Sequence, residues 1–541
     1  MSLVVRKNWL ELGVVALLLA SFLLISLLES SRESATADEV THIPAGVTYA
    51  YTGDLRLNPE HPPLLKYLSG VTLKLIVRPQ VDFNNQNWQT ASQWGFGRQF
   101  LYETPGNQPD LIIFWGRLPY VVLTVGLAIT IFMWTRYLFG RVVALAILFL
   151  FTLDPNMLAF SHLATFDLSM AAFVAASTFA LWLGLKKRRL WLFGVSGLLF
   201  GVALTAKITA IVFLGLLPIM IVYDLLKNSH NPQQKIGFYI TGFSLIIDGA
   251  WLSIWLIYGH IQGGQALEPL GWLPQDFLTS LRSSLLRYSA GQPSFLAGQL
   301  SNNGQWWYFP ISYLLKSPLP FLLLSLTGFG LVLLPKFRWK NNLGPFIALP
   351  IIVLFMMSLP SQFKIGLRHI FIIYPFLFIA AGLAIAVLWQ KIKQTYWRLS
   401  LMTIGAFYYL ATLVAFYPNY LTYSNELAGG STNGYKYLAD SNLDWGQGLV
   451  ELKRYTDAHG IKKLPIIYFG EADPNHYGFQ TLTRGVFFES STVSLTDGLH
   501  SWLGLSTTAA NYMGLHEAGY KIRGVGPSKL IGGSILLYNL P

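Results

Sequence analysis

Long apolar runs alternate with polar stretches along this chain. A helix needs roughly 17–25 apolar residues to cross a bilayer. Runs of that order lie at about 9–28, 118–138, 142–160, 163–185, 190–205, 208–226, 237–258, 317–335, 343–359, 370–390 and 399–417. The pattern therefore predicts a mainly α polytopic membrane protein of about eleven transmembrane helices.

Three polar stretches separate these runs: 29–117, 259–316 and 418–541. In the first, "PPLLKYLSGVTLKLI" has apolar residues at helical spacing but is too short to span, so it predicts an amphipathic surface helix. "LPQDFLTSLRSSLLRYSAG" predicts another in the second stretch. The third mixes strand-like runs ("LPIIYFG", "GSILLYNL") with helix-like ones ("WGQGLVELKRYTDA", "STTAANYMGLHEAG") and predicts a small α/β domain. The expected division is a membrane domain over 1–417, with outer loops 29–117 and 259–316, and a C-terminal domain over 418–541. No repeat or low-complexity tract interrupts it.

Composition agrees. Of 541 residues, 53% are hydrophobic and 12% charged, against about 25% charged in soluble proteins. The net charge of +12 comes from clusters at alternate loops. They are Arg6 and Lys7; Arg136 and Arg141; Lys186 to Arg189; Lys227 and Lys235; Lys336, Arg338 and Lys340; and Lys391, Lys393 and Arg398. By the positive-inside rule the N-terminus is cytoplasmic and the three long stretches lie outside. Residues 1–37 are expected to stay attached, since the apolar run exceeds the roughly 7–15 residues of a signal core. There is no cysteine, which excludes disulfides and thiolate chemistry. No nucleic-acid-binding motif is present.

Chemistry-bearing residues gather at the outer level. Asp38 and His42 share a helix face at i, i+4, while Thr36-x-x-Glu39 is a capping box that would occupy Glu39 structurally. Pro44 is expected to end that helix soon after. "NPEHPPLLK" holds Glu60 and His61 between stiff prolines, with Lys66 either snorkelling or meeting a lipid phosphate. Asp167 lies near the outer end of a span, where an ionisable group is costly, and Lys207 lies near another. Asp248 lies mid-span and suggests a structural pair. "SQFKIGLRHIF" brings Lys364, Arg368 and His369, and arginine suits bidentate phosphate binding. "NNGQWWYFPISYLLKSPLP" brings an aromatic belt and Lys316. "DSNLDWGQGLVE" spaces Asp440, Asn442, Asp444 and Glu451 as a calcium loop would, but Trp445 stands where glycine is required. A turn is therefore expected there rather than a calcium site.

An acidic pair after the first span followed by "HPPLLK" resembles the protein O-mannosyltransferases and the lipid A aminoarabinose transferases (glycosyltransferase family 39-like). "ATFDLSM", "TAKITA", "GQWWYFPISYLLKSPLP", "IGLRHIF" and "YSNELAGG" extend the likeness over most of the chain. The family has Gly-Lys after HPPL; here Leu65-Lys66 stands instead. The resemblance implies a GT-C fold in the plasma or inner membrane. It also implies transfer of a sugar from a polyprenyl-phosphate carrier to a hydroxyl of a protein, lipid or polysaccharide, with inversion. It implies Asp38 as general base, and Lys66 and Arg368 on the leaving phosphate with Lys207 and Lys316 at the same level. Glu39, Asp167, His61, Glu60, His42 and His369 would orient sugar or acceptor. No cofactor is required; a divalent cation, Mg or Mn, between Asp38 and Asp167 is the variant reading. No glycine-rich loop for a nucleotide sugar is present. The competing classes are a transporter or flippase, which would place its groups at the midplane of repeated halves, and a non-catalytic envelope scaffold.

Overall fold

The computed structural model describes residues 2–228, 232–263, 272–334, 343–462, 464–486 and 499–541. Lys235 is described in its backbone alone, and Lys336, Arg338 and Lys340 fall outside these residues. Among the described residues each apolar run is mostly helical. Seven helices among the described residues are long and apolar enough to cross a membrane: Trp9–Ser30, Pro109–Phe139, Asp167–Lys187, Ile208–Lys227, Ile236–Ile261, Leu367–Lys391 and Thr395–Phe416. Among the described residues three apolar helices are shorter, Leu190–Ala206, Leu319–Leu333 and Leu343–Ser358. The chain is a multi-pass membrane protein.

The run at 142–160 is a broken element rather than one helix. Arg141–Thr152 and Pro155–His162 meet at 61°. Asp154 causes the restart: its side chain accepts from the backbone N–H of Asn156 and Met157, and Pro155 takes the first helical position, where its missing N–H costs nothing.

Among the described residues, Arg136, Lys186 and Lys187 stand in the last turns of their helices. Glu11 in the first helix pairs with Arg136 at the end of Pro109–Phe139. Arg188 pairs with Asp224 at 3.3 Å. Asp167 opens the helix that Lys186 and Lys187 close, so a full span of roughly 30 Å separates that acid from those lysines.

The described residues of the polar stretches are folded. Helix Glu39–Thr52 continues through Pro44, contrary to the expected stop. Proline there frees the Val40 carbonyl from its helical partner, and the backbone of Gly97 packs against that carbonyl. Helix Leu64–Ile76 crosses Glu39–Thr52 so closely that a Cβ on Gly46 would overlap the Lys66 carbonyl. Helix Gln275–Ala290 buries Phe277, Ser280 and Ser284 and exposes Leu278, Leu285 and Leu286, as an amphipathic surface helix does. A hairpin follows, β1 (Ser294–Leu296) against β2 (Gln299–Ser301).

The final stretch carries the expected small sheet, built from β3 (Pro465–Phe469), β4 (Gln480–Gly485), β5 (Trp502–Ser506), β6 (Lys529–Ile531) and β7 (Ile535–Asn539) in the order β4-β3-β5-β7-β6. β3 runs parallel to β4 and β5, and β7 antiparallel to β5 and β6. Residues 420–449 thread between this sheet and the helices. Ser34 and Ala37 donate their N–H groups to the carbonyls of Gln447 and Trp445 at 3.1 and 3.0 Å. The Leu367 N–H donates to Asn442 Oδ1 at 2.9 Å.

Candidate active site

Asp38 stands just before helix Glu39–Thr52 but makes no side-chain cap bond. Its carboxylate turns instead to Arg368, whose Nη2 lies 3.2 Å from Oδ2. Burial would raise the Asp38 pKa, but Arg368, His42 and Arg287 outweigh it and hold the carboxyl below its usual value. Asp38 is therefore ionised at neutral pH.

Arg368 is fixed from three sides. Nε donates to Ser441 Oγ at 3.1 Å, the guanidinium lies 4.1 Å above the Trp445 ring, and Nη1 is 3.6 Å from Asp167 Oδ2. Asp167 also receives Lys207 Nζ at 2.5 Å. Lys207 occupies an extended residue where helix Leu190–Ala206 gives way to a turn, and this break aims its amine inward. Two acids and two cations thus alternate: Asp38, Arg368, Asp167, Lys207.

His42 and His61 close the side. His42 Nδ1 donates to the Ala164 carbonyl at 3.0 Å, leaving Nε2 as the lone-pair nitrogen. Burial pulls the His42 pKa down to about 4 and His61 well below its usual value, so both rings are neutral. His61 Nδ1, His369 Nε2 and Asp167 Oδ2 are buried without a hydrogen-bond partner.

These groups, with Phe166, Ser284, Arg287, Tyr288 and Phe363, enclose a cavity of ≈ 30 Å³, enough for a water or two. Asp38 and Arg287 also wall a cleft of ≈ 790 Å³ that reaches Glu60, Arg98, Asp440, Trp445, Glu471 and Tyr512. That size is in the range of small-molecule sites, roughly 300–1,000 Å³. A sugar fits the cleft, not the inner cavity.

Of the candidate residues, Asp38, Asp167, Arg368, Lys207, His42, His61 and His369 line the inner cavity, and Glu60 lines the cleft, pairing with Arg287. Three lie elsewhere. Glu39 is wholly buried. Arg117 grips it at 2.8 and 2.7 Å, and the N–H groups of Ala164 and Thr36 each donate at 2.8 Å; the last is the capping-box bond. Lys66 does not snorkel: fully buried, its Nζ donates to Asn58 O, Asn58 Oδ1 and His61 O at 2.6, 2.7 and 2.8 Å. Lys316 donates to the carbonyls of Leu421, Tyr423 and Asn442 at 2.8, 2.5 and 2.6 Å. Both lysines tie loops together because an ammonium's three protons find three acceptors there. Lys66→Met strands three acceptors, which is expected to cost about 1–3 kcal/mol, read as a lower Tm. An unchanged Tm would show that the lysine is not this tie.

Asp248 is exposed on its helix and has no ion-pair partner among the described residues, so it is not the structural pair expected. The "DSNLDWGQGLVE" segment is no calcium loop. The Asn442 side chain is spent on Leu367 N–H and Tyr308, and Asp444 on Thr507 and Thr508. Arg287 is the main residue that sequence reading passes over. Its signal is the spacing Ser280, Ser284, Arg287, which sets the three on one face of helix Gln275–Ala290. Asp440 and Trp445 read from the sequence only as parts of a turn, and Arg98 and Glu471 carry no signal.

Residues 113–255 match the family model described as dolichyl-phosphate-mannose-protein mannosyltransferase. No curated protein sequence matches the chain. Among solved structures, the apo oligosaccharyltransferase of Archaeoglobus fulgidus is similar with TM-score 0.50 at 11% identity, over 93% of this chain and 70% of that one. ArnT from Cupriavidus metallidurans is similar in its apo state (TM-score 0.48, 13% identity, 99% and 98% covered) and bound to undecaprenyl phosphate (0.49, 14%, 98% and 98%). The likeness to the oligosaccharyltransferase shows the fold expected from the sequence, GT-C.

Proposed function

We infer that the chain is a membrane glycosyltransferase that draws a sugar from a polyprenyl-phosphate carrier, and we propose that Asp38 activates the acceptor. The observation that carries this reading is the cleft itself: an ionised acid and an arginine stand at its inner end, backed by a second arginine and a lysine. The family matched over 113–255, described by a dolichyl-phosphate-mannose donor, supports it.

In the proposed reaction Asp38 takes the proton of an acceptor hydroxyl. The oxygen attacks the anomeric carbon, the carbon–oxygen bond to phosphate breaks, and the polyprenyl phosphate leaves with the electron pair. One displacement inverts the anomeric centre. Charge grows on the leaving phosphate, where Arg368, Arg287 and Lys207 stabilise it. A phosphate on Arg368 also draws that cation from Asp38. Burial then pushes the Asp38 pKa up and strengthens the base when donor is bound. Asp167 holds Lys207, Glu60 holds Arg287, and His42, His61 and His369 shape the small cavity behind Asp38 rather than meeting the sugar. A divalent cation at Asp38 and Asp167 would have to displace Lys207 and Arg368. Lys66, Lys316 and Glu39 serve as scaffold. On the positive-inside reading the site faces the outer side of the plasma or inner membrane, with 418–541 forming the extracytoplasmic domain that closes the cleft.

The test is reconstitution in liposomes with radiolabelled polyprenyl-phosphate sugars and a mixture of envelope acceptors. Release of polyprenyl phosphate with label in the acceptor is expected. Intact donor moved across the bilayer would instead establish a flippase, and donor bound without cleavage a scaffold.

Asp440 predicts a pH effect. Burial, opposed by Arg368, pushes its pKa up to about 7. Below that pH the carboxyl is neutral; above it a second negative charge appears beside Arg368 and repels the donor phosphate. Donor KM is therefore expected to rise as pH increases through about 7. The rise should vanish in Asp440→Asn, and a rise that persists there would assign the titration to another group.

A further inference from the structure

Behind the active site lies a second cluster that the proposed reaction does not use. Glu29 ends the first helix and Glu33 follows four residues on; His162 ends helix Pro155–His162. All three side chains are at least nine-tenths buried. One donor atom from each lies within 4.8 Å of the other two. Glu29 Oε2, Glu33 Oε1 and His162 Nδ1 have no hydrogen-bond partner.

The protonation pattern suits a ligand set. His162 Nε2 donates to Glu33 Oε2 at 2.8 Å, which leaves Nδ1 as the lone-pair nitrogen, 3.8 Å from Glu29 Oε2. A hydrogen bond on one ring nitrogen is the usual way a metal-binding histidine is oriented. Two carboxylates held side by side out of water repel each other, and a cation between them relieves that repulsion. Arg117 packs over this turn but makes no hydrogen bond to either carboxylate. Its guanidinium is spent on Glu39 and on the carbonyls of Ser30, Glu33 and Ser34. A dication balances two carboxylates and a neutral imidazole without remainder.

We propose that Glu29, Glu33 and His162 bind a structural divalent transition-metal cation. One nitrogen and two carboxylate oxygens suit Zn²⁺ or Mn²⁺ better than Ca²⁺ or Mg²⁺, which take oxygen ligands. Its place explains what it does. Glu33 precedes Asp38 by five residues, and His162 precedes Asp167 by five. The cation fastens the two arms that carry these acids. Glu29 extends the fastening to the last stretch, since its Oε1 accepts the Tyr420 N–H at 3.2 Å. These are positioning residues. The inference does not rest on the glycosyl-transfer reading, and its readouts need no turnover.

The experiment uses the full chain in detergent, stripped with a chelator and titrated with Zn²⁺, Mn²⁺ and Co²⁺. About one equivalent of Zn²⁺ or Mn²⁺ by elemental analysis is expected, with a Tm that rises with metal concentration. Co²⁺ is expected to give ligand-field bands of a mixed nitrogen–oxygen site. Glu33→Gln and His162→Asn should each weaken binding at least about tenfold, and Glu29→Gln serves if either fails to fold. The proposal is overturned if the folded wild-type chain takes up no metal and its Tm ignores the titration, leaving a proton-sharing triad. It is equally overturned if Glu33→Gln and Glu29→Gln both bind as the wild type does.

Discussion

Asp38→Asn is expected to lower single-turnover transfer by about 10²–10⁴-fold, the usual worth of a general base. The change is isosteric, and the amide oxygen can still accept from Arg368 at the position Oδ2 now holds. The fold should therefore survive, with Tm close to wild type. Donor affinity should hold or rise, because Arg368 is released from a charged partner toward the donor phosphate. The diagnostic result is thus a fall in the chemical rate without a rise in donor KM. A rate unchanged by the substitution would remove Asp38 as base. A fall in affinity with the rate preserved would make it a binding group.

Arg117→Met is expected to have the largest effect on stability. Arg117 and Glu39 are both wholly buried and paired at 2.7 Å, and Arg117 also holds the carbonyls of Ser30 and Ser34 at 3.0 and 2.9 Å. Burial alone would raise the Glu39 pKa; Arg117 holds it down. Removing one partner of such a pair leaves a buried charge and costs about 3–5 kcal/mol. The expected readout is a large drop in Tm with loss of folded protein on extraction. The double variant Arg117→Met, Glu39→Met should recover part of the loss, since no charge then remains unpaired. A double variant no better than the single one would show that Arg117 acts through the carbonyls alone.

How far the site was legible depended on what kind of evidence each residue offers. Asp167 and Lys207 announce themselves because an ionisable group at a membrane edge is expensive and needs a reason, Arg368 because arginine suits phosphate, and Asp38 only through the family resemblance. The same reasoning also singled out Lys66 and Lys316, which share composition and depth but hold loops together. A buried ammonium needs three acceptors, and those come from Asn58 and His61 in one case and from Leu421, Tyr423 and Asn442 in the other. Three of these acceptors lie more than 100 residues away in sequence, where local patterning cannot see them. Glu39 divides the same way. Its capping-box role is local and was readable, whereas its pairing with Arg117 spans 78 residues.

Hydropathy by itself determined that the chain is polytopic, where its apolar helices lie, and that a small sheet follows them. The bilayer explains this: it demands about twenty apolar residues per crossing and internal backbone bonding, constraints written in consecutive residues. Tertiary structure alone decided which charges face the cleft and which are spent on scaffold. It also decided that Arg287, Asp440 and Trp445 join the wall, and that Glu29, Glu33 and His162 converge. Those outcomes depend on pairings between segments far apart in sequence, and a buried charge takes its role from the partner it meets.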